Sequence, residues 1–340
     1  MDKKTIILLA ALTVAACGPK SSSTTLLTGK FGAEVPAEVH VKAAGVDTVV
    51  AVENAAFSLS VPVDLTTVAV IESDFGPVQF IADGSKLTFD FSGDNRSVSS
   101  NNPASATSRL NAFLDKSREM TALIRAEEDE DKSEELYEGF VDFNKETVRA
   151  NPDNVIGLVA LQNVYHEYEP ADLVEVLALL SPELQENSFV QSVSKAARAQ
   201  MSTDEGAMFT DFEVEEEPGK VTKFSQFVGT GKYMLVDFWA SWCGPCKREM
   251  PFIAAAYEKY HSDKFDVLSV AVWDEVEDTK KAAPELGIVW NQIINAQRIP
   301  TEIYGIQGIP HLILFGPDGT ILKRGLRGEG IQTELAKYLD

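Results

Sequence analysis

The chain has 340 residues, 44% of them hydrophobic and 24% charged, a globular composition spread over more length than one core normally serves. Its formal net charge of −22 excludes a nucleic-acid binder, because such a surface repels phosphates. Much of that charge sits in runs such as Ala126 to Glu138, which reads as a solvated helix face. Of three cysteines, Cys17 stands alone near the N-terminus and Cys243 and Cys246 form a pair. Such sparing use suits a compartment where stray thiols would oxidise wrongly.

Lys3 and Lys4 precede an apolar run from Ile6 to Ala16 that is too short to span a bilayer. A charged start, a short apolar middle and a small-residue end predict an export signal over residues 1–17. Val14-Ala15-Ala16-Cys17 resembles the lipobox of bacterial lipoproteins. That resemblance implies cleavage before Cys17, lipidation of Cys17 and attachment to a membrane facing the periplasm. Gly18, in place of an aspartate, favours the outer membrane by the sorting rule of that family. Residues 18–25 read as a flexible tether.

From residue 26 to 95 the apolar residues alternate, as in Val39 and Val41, Phe57, Leu59 and Val61, and Leu87, Phe89 and Phe91. Period two with turn residues at Gly45, Asp47, Gly76-Pro77 and Asp83-Gly84 predicts a small antiparallel β-sandwich. Gly93 to Ser108 reads as a polar linker. Residues 105–205 carry helical spacing, with breaks marked by Pro152, Pro170 and Pro182. His166, among glutamates and tyrosines, reads as a surface residue without a role. Neither region shows repeats, metal-ligand spacing or an acid–base constellation.

After the acidic stretch Glu213 to Lys220, the run Tyr233 to Ala240 is apolar except for Asp237, as in a buried strand of a covered sheet. Phe265 to Trp273 repeats that signal, and His311 to Leu322 gives two strands joined at Asp318-Gly319. Helical segments fall at Lys247–Tyr260 and Val276–Leu286, and a last one follows Ile331. The order is α/β, with Cys243-Gly244-Pro245-Cys246 where the first strand turns into a helix.

Trp242-Cys243-Gly244-Pro245-Cys246 after an apolar strand resembles the thioredoxin superfamily, over residues 212–340. Asp237 matches the family's buried strand acid and Pro251 the proline of its active-site helix. Gly308-Ile309-Pro310 matches the loop whose proline is cis and faces the cysteines. Glu249, and the extra helix and strand between Trp273 and Ala296, resemble the membrane-anchored, periplasm-facing (TlpA/ResA-like) subgroup. The β region resembles the domain preceding thioredoxin-like domains in lipoproteins of the Bacteroidetes kind. The fold expected is therefore multidomain: an N-terminal β-sandwich, a helical middle and a C-terminal thioredoxin fold.

The resemblance implies a thiol-disulfide oxidoreductase with no cofactor beyond its redox disulfide. Cys243, at a helix N-terminus, is expected to exist as thiolate near neutral pH and to attack a substrate disulfide. Cys246 resolves the mixed disulfide after losing its proton to Asp237 or Glu249. Trp242, Gly244, Pro245 and Ile309 are expected to frame the docked substrate chain, with Pro310 holding the loop. Gly-Pro between the cysteines matches reducing thioredoxin, near −270 mV, more than oxidants near −120 mV. The direction expected is reduction of protein disulfides, fed by a membrane thiol donor, with cytochrome c maturation among the possible tasks. Structural zinc lacks its four ligands. A copper-handling role through Cys243, Cys246 and His311, and an oxidase or isomerase of protein disulfides, stand as alternatives.

Overall fold

A computed structural model describes residues 23–92 and 96–340. The export signal, Cys17 and most of the tether lie outside the described residues. The chain divides into two compact units, one running to Ser133 and including Asn154–Ile156, the other comprising Glu134–Asp153 and Gly157–Asp340.

The first unit holds eight described strands: β1 (Thr24–Phe31), β2 (Glu38–Ala43), β3 (Val46–Ala51), β4 (Ala56–Pro62), β5 (Asp64–Glu72), β6 (Val78–Ala82), β7 (Lys86–Phe91) and β8 (Ser97–Ser100). They form two four-stranded sheets, ordered β4-β1-β7-β8 and β3-β2-β5-β6. Leu27, Phe57, Leu87 and Phe89 of the first sheet share one apolar cluster with Val39, Val41, Ile71 and Phe80 of the second. Phe80 meets Phe89 edge-on across it, with ring centroids 5.3 Å apart. Truncating a buried ring of this kind typically costs about 3–5 kcal/mol.

Two features depart from the expected pattern. The pairing is not antiparallel throughout, since β1 runs parallel to β7. Alternation fixes which face a strand buries but not which neighbour it takes. The polar run after Gly93 also contains a strand: β8 pairs with β7 and inserts Val98 into the cluster. One apolar residue among serines leaves almost no periodic signal. Helix α1 (Ala106–Ala126) starts at Ser105, whose hydroxyl accepts the Ser108 amide. Buried Thr107 fixes it to β6 by exchanging hydrogen bonds with the Ile81 backbone.

Helices α2 (Glu130–Ala150), α3 (Val155–Val164), α4 (Pro170–Ala178), α5 (Pro182–Gln185) and α6 (Ser188–Ser202) follow. Pro170 and Pro182 occupy first turns, where a missing N–H is harmless. A hairpin, β9 (Glu213–Glu217) and β10 (Lys220–Lys223), then precedes the sheet. It arises in the acidic stretch because alternate residues turn inward. Val214 is buried, and so is Glu216, whose carboxylate takes bonds from Thr222 and Lys220.

The remainder is β11 (Tyr233–Trp239), α7 (Gly244–Tyr260), β12 (Phe265–Ala271), α8 (Val276–Glu285), β13 (Asn291–Ile293), α9 (Ile299–Ile303), β14 (His311–Phe315), β15 (Ile321–Arg324) and α10 (Gly330–Leu339). The sheet order is β13-β12-β11-β14-β15, parallel across β11, β12 and β13 and antiparallel across β14 and β15. Gly319, with φ of 92°, makes the turn between β14 and β15. Both faces are covered, which explains the unbroken apolar runs. Leu235 and Trp239 pack under α7 and α10 on one face, and Val236 and Phe238 pack with Phe224 and Tyr304 on the other. Among the described residues no helix is long and apolar enough to cross a membrane.

Candidate active site

Strand β11 runs through the middle of the sheet and delivers the chain at its C-terminal end to the start of α7. Cys243 is the N-cap residue of α7, and its Sγ accepts the Cys246 amide at 3.1 Å. The two sulfurs are bonded to each other, so the structure is the oxidised state. Cys246 is fully buried and Cys243 keeps 3% of its surface in solvent. Cys243 is thus the cysteine nearer to solvent, at a helix end whose unpaired N–H groups favour an anion. Trp242, Gly244 and Pro245 are exposed around it.

Side chains alternate along a strand, so Asp237 shares with Leu235 and Trp239 the face that carries the cysteines. Asp237 is fully buried. Its Oδ2 accepts a long bond of 3.4 Å from Ser269 on β12, and its Oδ1 has no partner. Burial pushes its carboxyl up to about 7; the Ser269 bond opposes that, the Glu249 charge adds to it and Arg327 opposes it. An acid that holds its proton near neutrality can receive one and pass it on.

Glu249 lies on α7, three residues after Cys246, and is buried. Its Oε1 accepts the backbone amide of Gly328. The Ile309–Pro310 peptide is cis, Pro310 is buried, and Ile309 packs partly against the clusters on both faces of the sheet. The structure therefore brings together Cys243, Cys246, Asp237 and Glu249, with the Ile309–Pro310 loop at the head of β14.

His311 does not join them. It lies opposite Phe238 in the register, and one step along β14 places it on the far face from Leu312 and the sulfurs. Burial, with Arg324 and Arg327 nearby, lowers its pKa to about 3, and its Nε2 has no partner. The copper-handling alternative needed His311 to converge with the two cysteines. Strand alternation prevents it, and among the described residues no three His, Cys, Asp or Glu side chains form a metal-binding group.

Two polar residues near the site carried no signal in the sequence. Asp274, in the loop after β12, is buried and accepts the Ser241 amide at 2.7 Å, the Ser241 hydroxyl at 2.8 Å and the Thr279 hydroxyl at 2.7 Å. It thereby ties the turn before Cys243 to the start of α8. Beside it, Trp273 has a left-handed φ of 54°, and its carbonyl accepts the Trp242 indole N–H at 3.0 Å. A conformation unfavourable for tryptophan is thus held where it steadies the exposed ring next to Cys243. The second residue is Arg327, whose Nη2 donates to the Pro310 carbonyl.

Residues 206–324 match the model of the AhpC/TSA family. The chain is 24% identical over 168 residues to the thiol-disulfide oxidoreductase ResA of Geobacillus thermodenitrificans, covering 49% of this chain and 90% of that protein. The ResA of Bacillus subtilis is 26% identical over 122 residues, covering 36% and 67%. A thiol:disulfide interchange protein from Bacteroides sp. is 31% identical, covering 41% of this chain and 92% of its own, with a TM-score of 0.37. The homologues of this chain are named thiol-disulfide oxidoreductases, and its C-terminal part carries an AhpC/TSA-type domain of the thioredoxin-fold family.

Proposed function

We propose that the protein reduces disulfides of other proteins in the bacterial envelope through the Cys243–Cys246 pair. The observation that carries this reading is Cys243 capping α7 beside a buried acid, Asp237, that titrates near neutrality. In the reduced form the Cys243 thiolate attacks one sulfur of a substrate disulfide. The S–S bond breaks, one substrate thiolate leaves, and Cys243 is joined to the substrate. Cys246 then gives its proton to Asp237, directly or through water, and attacks Cys243 Sγ. The second substrate sulfur leaves as a thiolate, to which Asp237 can return the proton, and the pair ends as the disulfide described above. Two electrons have passed to the substrate, and a membrane thiol donor returns them.

The Gly-Pro dipeptide supports the reductive direction, and so does the local charge. Asp237 and Glu249 are acids, and they do not stabilise a reduced thiolate as the site of a strong oxidant does. On this reading Trp242, Gly244, Pro245 and Ile309 receive the substrate chain. Lipidated Cys17 holds the protein to the membrane, the outer one by its Gly18, and the N-terminal β region forms a sandwich. Oxidised envelope proteins, apocytochrome c among them, are the substrate class.

Cys246→Ser tests the order of attack, because it leaves the first step intact and removes the second. Expressed in the native host, this variant accumulates mixed disulfides between Cys243 and envelope proteins, released by reductant and identifiable by mass spectrometry. An equal yield from Cys243→Ser would make Cys246 the attacking sulfur and overturn the assignment.

A further inference from the structure

Three consecutive residues between β15 and α10 each hold a different part of the site. Leu326 is buried in the cluster that contains Cys243 and Cys246. Arg327 donates through Nη2 to the Pro310 carbonyl, and its Nη1 folds back to its own Leu326 carbonyl at 2.8 Å. Gly328 donates its amide to Glu249 on the active-site helix. Its φ of +50° is one that residues with side chains rarely adopt. One short turn therefore joins the Pro310 loop to α7.

The turn also brings in a charge. β12 offers Asp237 only the Ser269 hydroxyl, which is itself bonded by Trp290 Nε1 at 2.9 Å. From α7 comes Glu249, a like charge. β14 places Leu312 opposite Asp237, and His311 beside it is neutral and on the other face. Arg324 on β15 is committed to the Thr203 and Tyr304 carbonyls. Arg327 is the cation whose field reaches both Asp237 and Glu249.

We propose that Arg327 is a positioning residue of the exchange reaction, clasping the Pro310 loop to the active-site helix and supplying the positive charge that lets Asp237 give up its proton. This rests on the exchange chemistry proposed above. Without the guanidinium, the buried Asp237 carboxyl is left with only the like charge of Glu249, and its proton is held more tightly. Cys246 then finds its acceptor already occupied at neutral pH. Arg327 is itself exposed, and solvent screening limits the size of the effect.

Two readouts on the full-length chain separate this proposal from the reading beneath it. The first follows the Asp237 carboxyl by NMR during a pH titration of the oxidised protein and needs no turnover. The second is the pH profile of protein-disulfide reduction. In Arg327→Met the Asp237 midpoint rises by about half a pH unit or more, and the rising limb of the rate moves with it. At pH 6 this costs about three-fold in rate. Arg327→Lys, which keeps the charge and one donor, brings the midpoint back towards wild type. An unmoved Asp237 midpoint in a folded Arg327→Met protein overturns the proposal. So does a rate that falls equally at every pH and is not recovered by lysine, the signature of a structural role alone. A shifted midpoint in a protein that reduces no disulfide upholds Arg327's action on Asp237 and refutes the exchange reading instead.

Discussion

Asp237→Asn lowers the rate of disulfide reduction at pH 7 by about 10²-fold or more and, at the same time, makes the folded protein more stable at pH 8. The two effects have one cause. Burial pushes the wild-type carboxyl up to about 7 in the fold, against 3.8 for an ordinary aspartate, because it penalises the charge. The folded state therefore holds that proton more tightly than the unfolded chain. The stability this contributes is complete below about 3.8 and is lost as pH rises through about 7, where folding must bury the ion. At 1.36 kcal/mol per pH unit, the span from 3.8 to about 7 corresponds to about 4 kcal/mol.

Asparagine carries no charge and escapes that penalty, but its amide must find partners in a site that offers little beyond Ser269. A gain of about 2–4 kcal/mol at pH 8 is expected, shrinking as pH falls towards 5. Urea denaturation at the two pH values measures it. The rate of the wild-type protein rises through pH 7 as Asp237 ionises, and that limb is absent in the variant. A variant that is no more stable at pH 8, or that keeps the limb, would show that Asp237 neither carries a buried charge nor takes the proton.

Cys243→Ser has the larger effect on activity. The nucleophile is gone, and turnover falls by at least about 10³-fold. The fold persists, because Cys243 also caps α7 and serine is among the best residues for that position. Its hydroxyl can accept the Cys246 amide as Sγ does. Circular dichroism should therefore match wild type while protein-disulfide reduction disappears. Retained turnover would mean that exchange does not begin at this sulfur.

Most of the catalytic constellation was legible because it lies on one stretch of sequence with a strong local pattern. Asp237 stood out as the only acid in an apolar strand, and Cys243-Gly244-Pro245-Cys246 followed at the strand-to-helix turn. Glu249 and Pro310 became readable through the family resemblance, since nothing local marks either. Asp274 and Arg327 were invisible for a physical reason. Each lies in an ordinary polar loop and acquires its role from partners distant in sequence, Ser241 in one case and Pro310 in the other. In the N-terminal unit the buried faces followed from alternation. The parallel pairing of β1 with β7 did not, because register across 59 or more residues leaves no trace in either strand. Strands β8 and β9 were hidden by their serines and glutamates, among which Val98 and Val214 are the only apolar residues, and one glutamate, Glu216, is itself buried.

The reduction potential of the Cys243–Cys246 couple, measured on the purified protein in glutathione and dithiothreitol redox buffers, tests the central claim most directly. A reductase built on this site has a potential near that of thioredoxin, about −270 mV. A value near −120 mV, that of the strong oxidants, would contradict the account and make the protein a donor of disulfides.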